Sequence, residues 1–145
     1  MKIVIGCDHA AFDVKNKIKN YLKSLNHVVI DLGTNSSESV DYPSYGHDVG
    51  NYVANKKANK GIVVCGSGIG ISIAANKVKG IRAALCTSVI HAELSRKHND
   101  ANILALGARL TKYEEIELII EIWLKTEFEG GRHLDRINKI DINEK

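Results

Sequence analysis

The sequence predicts an α/β fold: a three-layer, doubly wound, five-stranded parallel sheet of Rossmann-like form, followed by a C-terminal helical arm at 129–145. Two observations carry that expectation. Five short apolar runs are each long enough for a core strand, and between them lie longer stretches whose apolar residues recur every three to four positions. Strands alternating with helices in this way build a parallel sheet covered on both faces. The size agrees. A chain of 145 residues, 44% hydrophobic and 26% charged, suits one domain over 1–145, able to bury about 70% of its unfolded surface without disulfides or metals.

Ile3-Val4-Ile5 is the first strand, ending at Gly6-Cys7-Asp8-His9. Val14, Ile18, Tyr21, Leu22 and Leu25 then fall on one helical stripe. Val28-Val29-Ile30 is the second strand, and the polar run 33–39 after it is a loop. Pro43, the lone proline, marks the start of a second helix whose apolar face is Val49, Tyr52 and Val53. Gly61-Ile62-Val63-Val64-Cys65 is the third strand; it breaks into Gly66-Ser67-Gly68-Ile69-Gly70, and 71–76 reads as helix. Strand four is expected over 81–86, helix four over 89–98 and strand five over 102–106. Helix five, over 113–128, carries Ile116, Ile119, Ile120, Trp123 and Leu124 at helical spacing.

The net charge of +3, with bases and acids interleaved, is too small to mark a nucleic-acid binder. No apolar run approaches the ~18 residues of a membrane span. Met1-Lys2-Ile3-Val4-Ile5 enters a strand with no signal-peptide layout, so a cytoplasmic location without a membrane partner is expected. The three cysteines, Cys7, Cys65 and Cys86, are widely spaced, which fits reduced thiols rather than a disulfide framework.

The commoner order for such a sheet is 2-1-3-4-5. Its topological switch point lies between strands one and three, and ligands bind at the carboxyl ends there. Those ends carry Cys7-Asp8-His9 and Cys65-Gly66-Ser67-Gly68-Ile69-Gly70. The two most reactive-looking clusters therefore fall where this topology puts a ligand. Gly66, Gly68 and Gly70 let backbone approach an anionic group or a developing oxyanion closely, and the following helix aims its free N–H groups at the crevice. A thiol beside a helix N-terminus has its thiolate stabilised, which makes Cys65 a usable base or nucleophile. The plainer alternative is a chain turn beside a small buried thiol.

Competing motifs are absent. A dinucleotide fingerprint needs G-x-G-x-x-G and an acid downstream, whereas the spacing here is G-x-G-x-G and 84–87 offers no acid. A phosphate-binding P-loop needs Gly-Lys-Ser/Thr, and a cysteine phosphatase needs an arginine in its loop; neither is present. Cys7, His9, Cys65 and Cys86 match no zinc spacing, so neither metal nor cofactor is expected. Asp8 and His9 suit acid–base work or hydroxyl binding, or simply cap the first helix. His98-Asn99-Asp100 ends the fourth helix, where a histidine often only answers the helix dipole. His27, His47 and His91 have no reactive neighbours in sequence. Arg132 and Arg136, four apart behind Gly130-Gly131, offer paired guanidinium forks for a phosphate or else a solvated basic face, and Arg109 is placed to join them.

Gly6-Cys7-Asp8-His9, Asp41-Tyr42-Pro43, Cys65-Gly66-Ser67-Gly68-Ile69-Gly70-Ile71-Ser72, Ala74-Ala75-Asn76-Lys77, Gly80-Ile81-Arg82-Ala83, Ser95-Arg96-Lys97-His98-Asn99-Asp100, Ala108-Arg109 and Glu129-Gly130-Gly131-Arg132-His133 resemble, in order and over essentially the whole chain, the ribose-5-phosphate isomerase type B family. That family also holds galactose-6-phosphate and allose-6-phosphate isomerases. The resemblance implies a homodimer, or a dimer of dimers, with sites shared between subunits and metal-independent interconversion of ribose 5-phosphate and ribulose 5-phosphate. It implies that Cys65 removes the C2 proton to give an enediolate; some members have a glutamate at the position of Ile71 instead and no cysteine at that of Cys65. Ser67 matches the family's threonine beside the enediolate, along with the turn at Gly66, Gly68, Ile69 and Gly70. His98 matches the ring-opening histidine, with Asp8 handling hydroxyl protons. His9, Arg132 and Arg136 match phosphate-binding positions, and His98, Asn99 and Arg109 are expected from the partner subunit. Two alternatives stay open: an isomerase for a six-carbon sugar phosphate, and a non-catalytic sugar-phosphate-binding module with Cys65 inert.

Overall fold

Side chains on a strand point alternately to opposite faces. Where both sets are apolar, each face needs a cover, and the chain supplies one on each side. The computed structural model describes residues 1–142; positions 143–145 of the expected arm lie outside the described residues. β1 (Lys2–Cys7), β2 (Val28–Asp31), β3 (Lys60–Cys65), β4 (Ala83–Leu85) and β5 (Ile103–Gly107) form one sheet in which every neighbouring pair is parallel. Between and after them run α1 (Phe12–Ser24), α2 (Tyr42–Ala54), α3 (Ile69–Ala75), α4 (Val89–Lys97), α5 (Tyr113–Lys125) and α6 (Arg132–Ile137), with a short 3-10 turn at His9–Ala11 leading into α1.

Ile3, Ile5, Ile62, Val64, Leu104 and Leu106 pack with Ile18 and Leu22 of α1, Ala92 of α4, and Ile116, Ile119 and Trp123 of α5. Val4, Val63, Cys65, Ile103 and Ala105, the alternate positions, pack with Val49 and Val53 of α2 and with Ile71 and Ala75 of α3. This is the three-layer arrangement the alternation of runs implied. Local signals set the element ends. Pro43 lies in the first turn of α2, where its missing N–H costs nothing. Ser88 caps α4 by accepting from the His91 N–H.

The strand order is β2-β1-β3-β5-β4, not the expected 2-1-3-4-5. The reason is burial. All five residues of β5 are buried, which suits a strand flanked on both sides, whereas β4 is three residues long and only half-buried, which suits an edge. The switch point between β1 and β3 is unchanged by this. What changes is the neighbour of β3 on its other side: Cys65 registers against Gly107 of β5.

Candidate active site

The carboxyl ends of β1, β3 and β5 open onto one cleft of about 640 Å³, lined among others by Asp8, His9, Cys65, Gly66, Ser67, Ile69, Gly70 and Arg109. Each side chain is held by the backbone around it. The Cys65 carbonyl accepts from the Ala108 N–H at 2.9 Å and the Gly66 carbonyl from the Arg109 N–H at 3.0 Å, so the ends of β3 and β5 are stitched together. Gly68 turns the chain with φ 77°, and its N–H then donates to Cys65 Sγ at 3.2 Å. Such a bond strengthens when the sulfur is charged. Ser67 Oγ accepts from the Ile69 N–H at 3.2 Å, leaving its own O–H as a donor.

The three thiols are not alike. Cys7 and Cys86 belong to the opposite face of the sheet. Burial pushes each of them up to about 11, the Lys15 charge only partly offsetting this for Cys7 and the Ser95 hydrogen bond for Cys86. At neutral pH both are therefore protonated and poor nucleophiles. Cys65 is the cysteine that lines the cleft.

Asp8 is 6% exposed and its Oδ1 accepts from the Ala10 N–H at 3.0 Å. It thus caps the turn before α1 while also lining the cleft. His9 Nδ1 accepts from the Val40 N–H at 3.1 Å. That bond fixes the neutral tautomer with the proton on Nε2, a donor suited to an oxyanion.

Arg109 was expected from a partner chain, yet it lines the cleft of its own chain. The cause is the strand order: with β5 beside β3, the residue two positions beyond Gly107 falls next to Gly66, and an added Cβ on Gly66 would meet Arg109 Nη1 at 3.4 Å. His98, Asn99, Arg132 and Arg136 are not among the residues lining this cleft. His98 stacks on His133 of α6, ring centroids 4.3 Å apart. Asn99 lines a separate hollow with Arg82, Ile140 and Asp141. Arg132 and Arg136 are exposed on α6 beside that stack. The predicted phosphate set of His9, Arg132 and Arg136 is therefore split within one chain, because α6 is tied to the C-terminal end of α4 by the Glu129 N–H bond to the Lys97 carbonyl and by the His98–His133 stack. Tyr42, given no role by the sequence, also lines the cleft, and its ring lies against Gly70, where an added Cβ would meet Cζ at 2.5 Å. Its sequence signals were its place beside Pro43 at a helix start and its membership of the Asp41-Tyr42-Pro43 motif.

Two hydrogen-bond donors beside a thiol, a carboxylate, a histidine N–H and a guanidinium can move a proton and hold an anion. Comparison with known proteins points the same way. A model of the Ribose/Galactose Isomerase family matches residues 3–140. Ribose-5-phosphate isomerase B of Escherichia coli is 48% identical over 139 residues, 96% of this chain and 93% of that protein. The galactose-6-phosphate isomerase subunit LacB of Clostridium acetobutylicum is 43% identical, over 96% of this chain and 80% of its own length. The solved ribose-5-phosphate isomerase B of Clostridium thermocellum superposes with a TM-score of 0.96 at 53% identity, covering 97% of this chain and 95% of that one. With the motifs, the fold and the similarity all extending over nearly the whole length, the chain belongs to the ribose/galactose isomerase family.

Proposed function

We propose that the chain interconverts D-ribose 5-phosphate and D-ribulose 5-phosphate through an enediolate, with Cys65 as the base. The observation that carries this is the Cys65 thiol, bonded by the Gly68 N–H at 3.2 Å and sharing a cleft with Asp8, His9, Ser67 and Arg109. The Cys65 thiolate takes the C2 proton of the open-chain aldose. The C–H electron pair becomes the C1–C2 double bond, and the carbonyl pair moves onto O1. Ser67 and the turn amides hold the enediolate oxygens. Cys65 then returns the proton to C1 while Asp8 takes the O2 proton and passes it to O1, giving the ketose. The same thiol serves both carbons because they are adjacent.

His9 Nε2–H and the Arg109 guanidinium offer one chain's donors for the substrate's anionic end. The remaining members of the motif, His98 for ring opening, Asn99 for substrate binding and Arg132 and Arg136 for phosphate, reach the cleft from a second copy in this reading. Exposed Ile69, Ile73 and Leu110 around the cleft support a covering partner. No helix of the described residues is long and apolar enough to cross a membrane, and the free thiols suit a reducing compartment such as the cytoplasm.

A second reading, a six-carbon aldose 6-phosphate as substrate, is favoured by the 43% identity with the galactose-6-phosphate isomerase subunit. Both readings use one chemistry, so the test has two arms. Cys65→Ala is expected to lower kcat for ribose 5-phosphate by about 10²–10⁴-fold while sugar-phosphate binding persists; undiminished turnover would remove Cys65 as base. The purified protein is expected to show its highest kcat/KM with ribose 5-phosphate, and a higher value with galactose or allose 6-phosphate would establish the second reading.

A further inference from the structure

A second group of polar side chains stands outside the cleft, where α4 ends and α6 begins. His98, half-buried, stacks on His133 with 14° between the ring planes. Glu129 Oε2 lies 3.6 Å from His133 Nε2. One ligand-capable atom from each of the three residues lies within 4.8 Å of the others, and among the described residues no other such group of histidine, cysteine and carboxylate occurs. The backbone holds the cluster together. The Glu129 N–H donates to the Lys97 carbonyl at 3.1 Å, next to His98, and the His133 N–H donates to the Gly130 carbonyl at 3.1 Å.

The geometry points to a site for a divalent transition-metal ion of the zinc class, held by His98, Glu129 and His133, whose occupancy removes His98 from catalysis and so stops turnover. Two imidazoles and one carboxylate are a donor set that zinc takes readily, with a fourth position left for water. A tetrahedral ion with bonds of about 2.0–2.2 Å holds its donors about 3.4 Å apart. Closing from 4.8 Å therefore needs side-chain movements of about 1.4 Å, and because the stacked ring planes are nearly parallel, the half-buried His98 ring must also turn out of the stack to aim its lone pair at the ion. The most buried donor, His133, is held in place by the stack on His98 and by its backbone N–H bond to the Gly130 carbonyl. Arg132 and Arg136 oppose a dication, but both are exposed on α6, where water and salt screen their charge. The inhibitory half of this inference rests on the role of His98 given above; the binding half does not.

The experiment uses the full chain, freed of metal with EDTA and exchanged into chelator-free buffer. It is titrated with Zn²⁺ by calorimetry and with Co²⁺ by visible absorption. One ion per chain is expected, with a Co²⁺ spectrum of low coordination number. Glu129→Ala, a change at a half-exposed position that leaves the fold intact, is expected to weaken binding by about tenfold or more; His133→Gln is expected to do the same. Cys65→Ala is expected to bind Zn²⁺ like the parent. Equal affinity in Glu129→Ala, or affinity lost only in Cys65→Ala, would overturn the site. In activity assays Zn²⁺ is expected to inhibit the parent reversibly, EDTA restoring it, while Glu129→Ala turns over normally and resists. Full turnover with Zn²⁺ bound would overturn the inhibition alone. The isomerase reading is judged separately, by metal-free Cys65→Ala.

Discussion

Lys60 and Cys65 stand at opposite ends of β3, and their surroundings treat them oppositely. At the carboxyl end the thiol meets an N–H donor. At the amino end burial pushes the Lys60 ammonium down to about 8, and the Arg96 charge adds to the shift, with Glu127 and Asp100 offsetting only part of it. The ammonium lies 4.8 Å from the centre of the Trp123 ring, a contact that recovers some of this cost. Between pH 8 and 10.5 the unfolded chain carries a proton that the native protein has released, so stability rises with pH across that window. Below pH 8 both states are protonated and the native penalty is complete. Lys60→Met keeps the apolar stem and removes the charge. It is expected to raise Tm at pH 7, and the gap to the parent should close as the pH climbs from 8 to 10.5. Thermal melts of both proteins at several pH values check this; a gap that did not change with pH would mean that Lys60 titrates normally.

The turn after β3 depends on β5 as much as on its own sequence. At Gly68 a Cβ would sit 2.7 Å from the Leu106 carbonyl carbon, on a residue already at φ 77°. Gly107, in turn, leaves only enough room for the Ser67 carbonyl, 2.5 Å from where its own Cβ would be. Gly68→Ala therefore meets both a backbone overlap and an unfavourable φ. It is expected to cost about 2–5 kcal/mol of stability, read from urea unfolding, and to lower kcat, since the N–H bonded to Cys65 Sγ moves with it. Native stability and turnover in that variant would show that the turn tolerates the shift. The elements themselves were legible in the sequence because their signals are local: the apolar runs, Pro43, and the glycines after Cys65. Strand order was not, because the position of β4 in the chain says nothing about where it lies across the sheet. The residues Ala83, Ala84 and Leu85 make a short, half-buried strand, and only packing shows that such a strand belongs at the edge. The place of Arg109 in the cleft of its own chain follows from that same strand order. The stacking of His98 on His133 was hidden for a related reason, since it depends on how Gly130 and Gly131, both at positive φ, swing α6 back against α4.

At the scale of the molecule, the motif residues fall into two groups that a single chain keeps apart. One group, with Asp8, His9, Cys65, Ser67 and Arg109, lines the cleft. The other, with His98, Asn99, Arg132 and Arg136, lies at the end of α4 and on α6. If a second copy brings the latter to the former, each site holds one group from each subunit, and the arrangement is reciprocal in a two-fold dimer. That reciprocity makes a distinctive forecast. Cys65→Ala and His98→Asn are each expected to be nearly inactive alone. In a heterodimer of the two, one site collects both lesions and the other collects none. Random mixing after unfolding and refolding the pair together is then expected to restore about one quarter of the wild-type sites. Assays of each variant alone and of the refolded mixture decide the matter. A mixture no more active than its components would mean that each chain completes its own site, and that α6 must move to reach it.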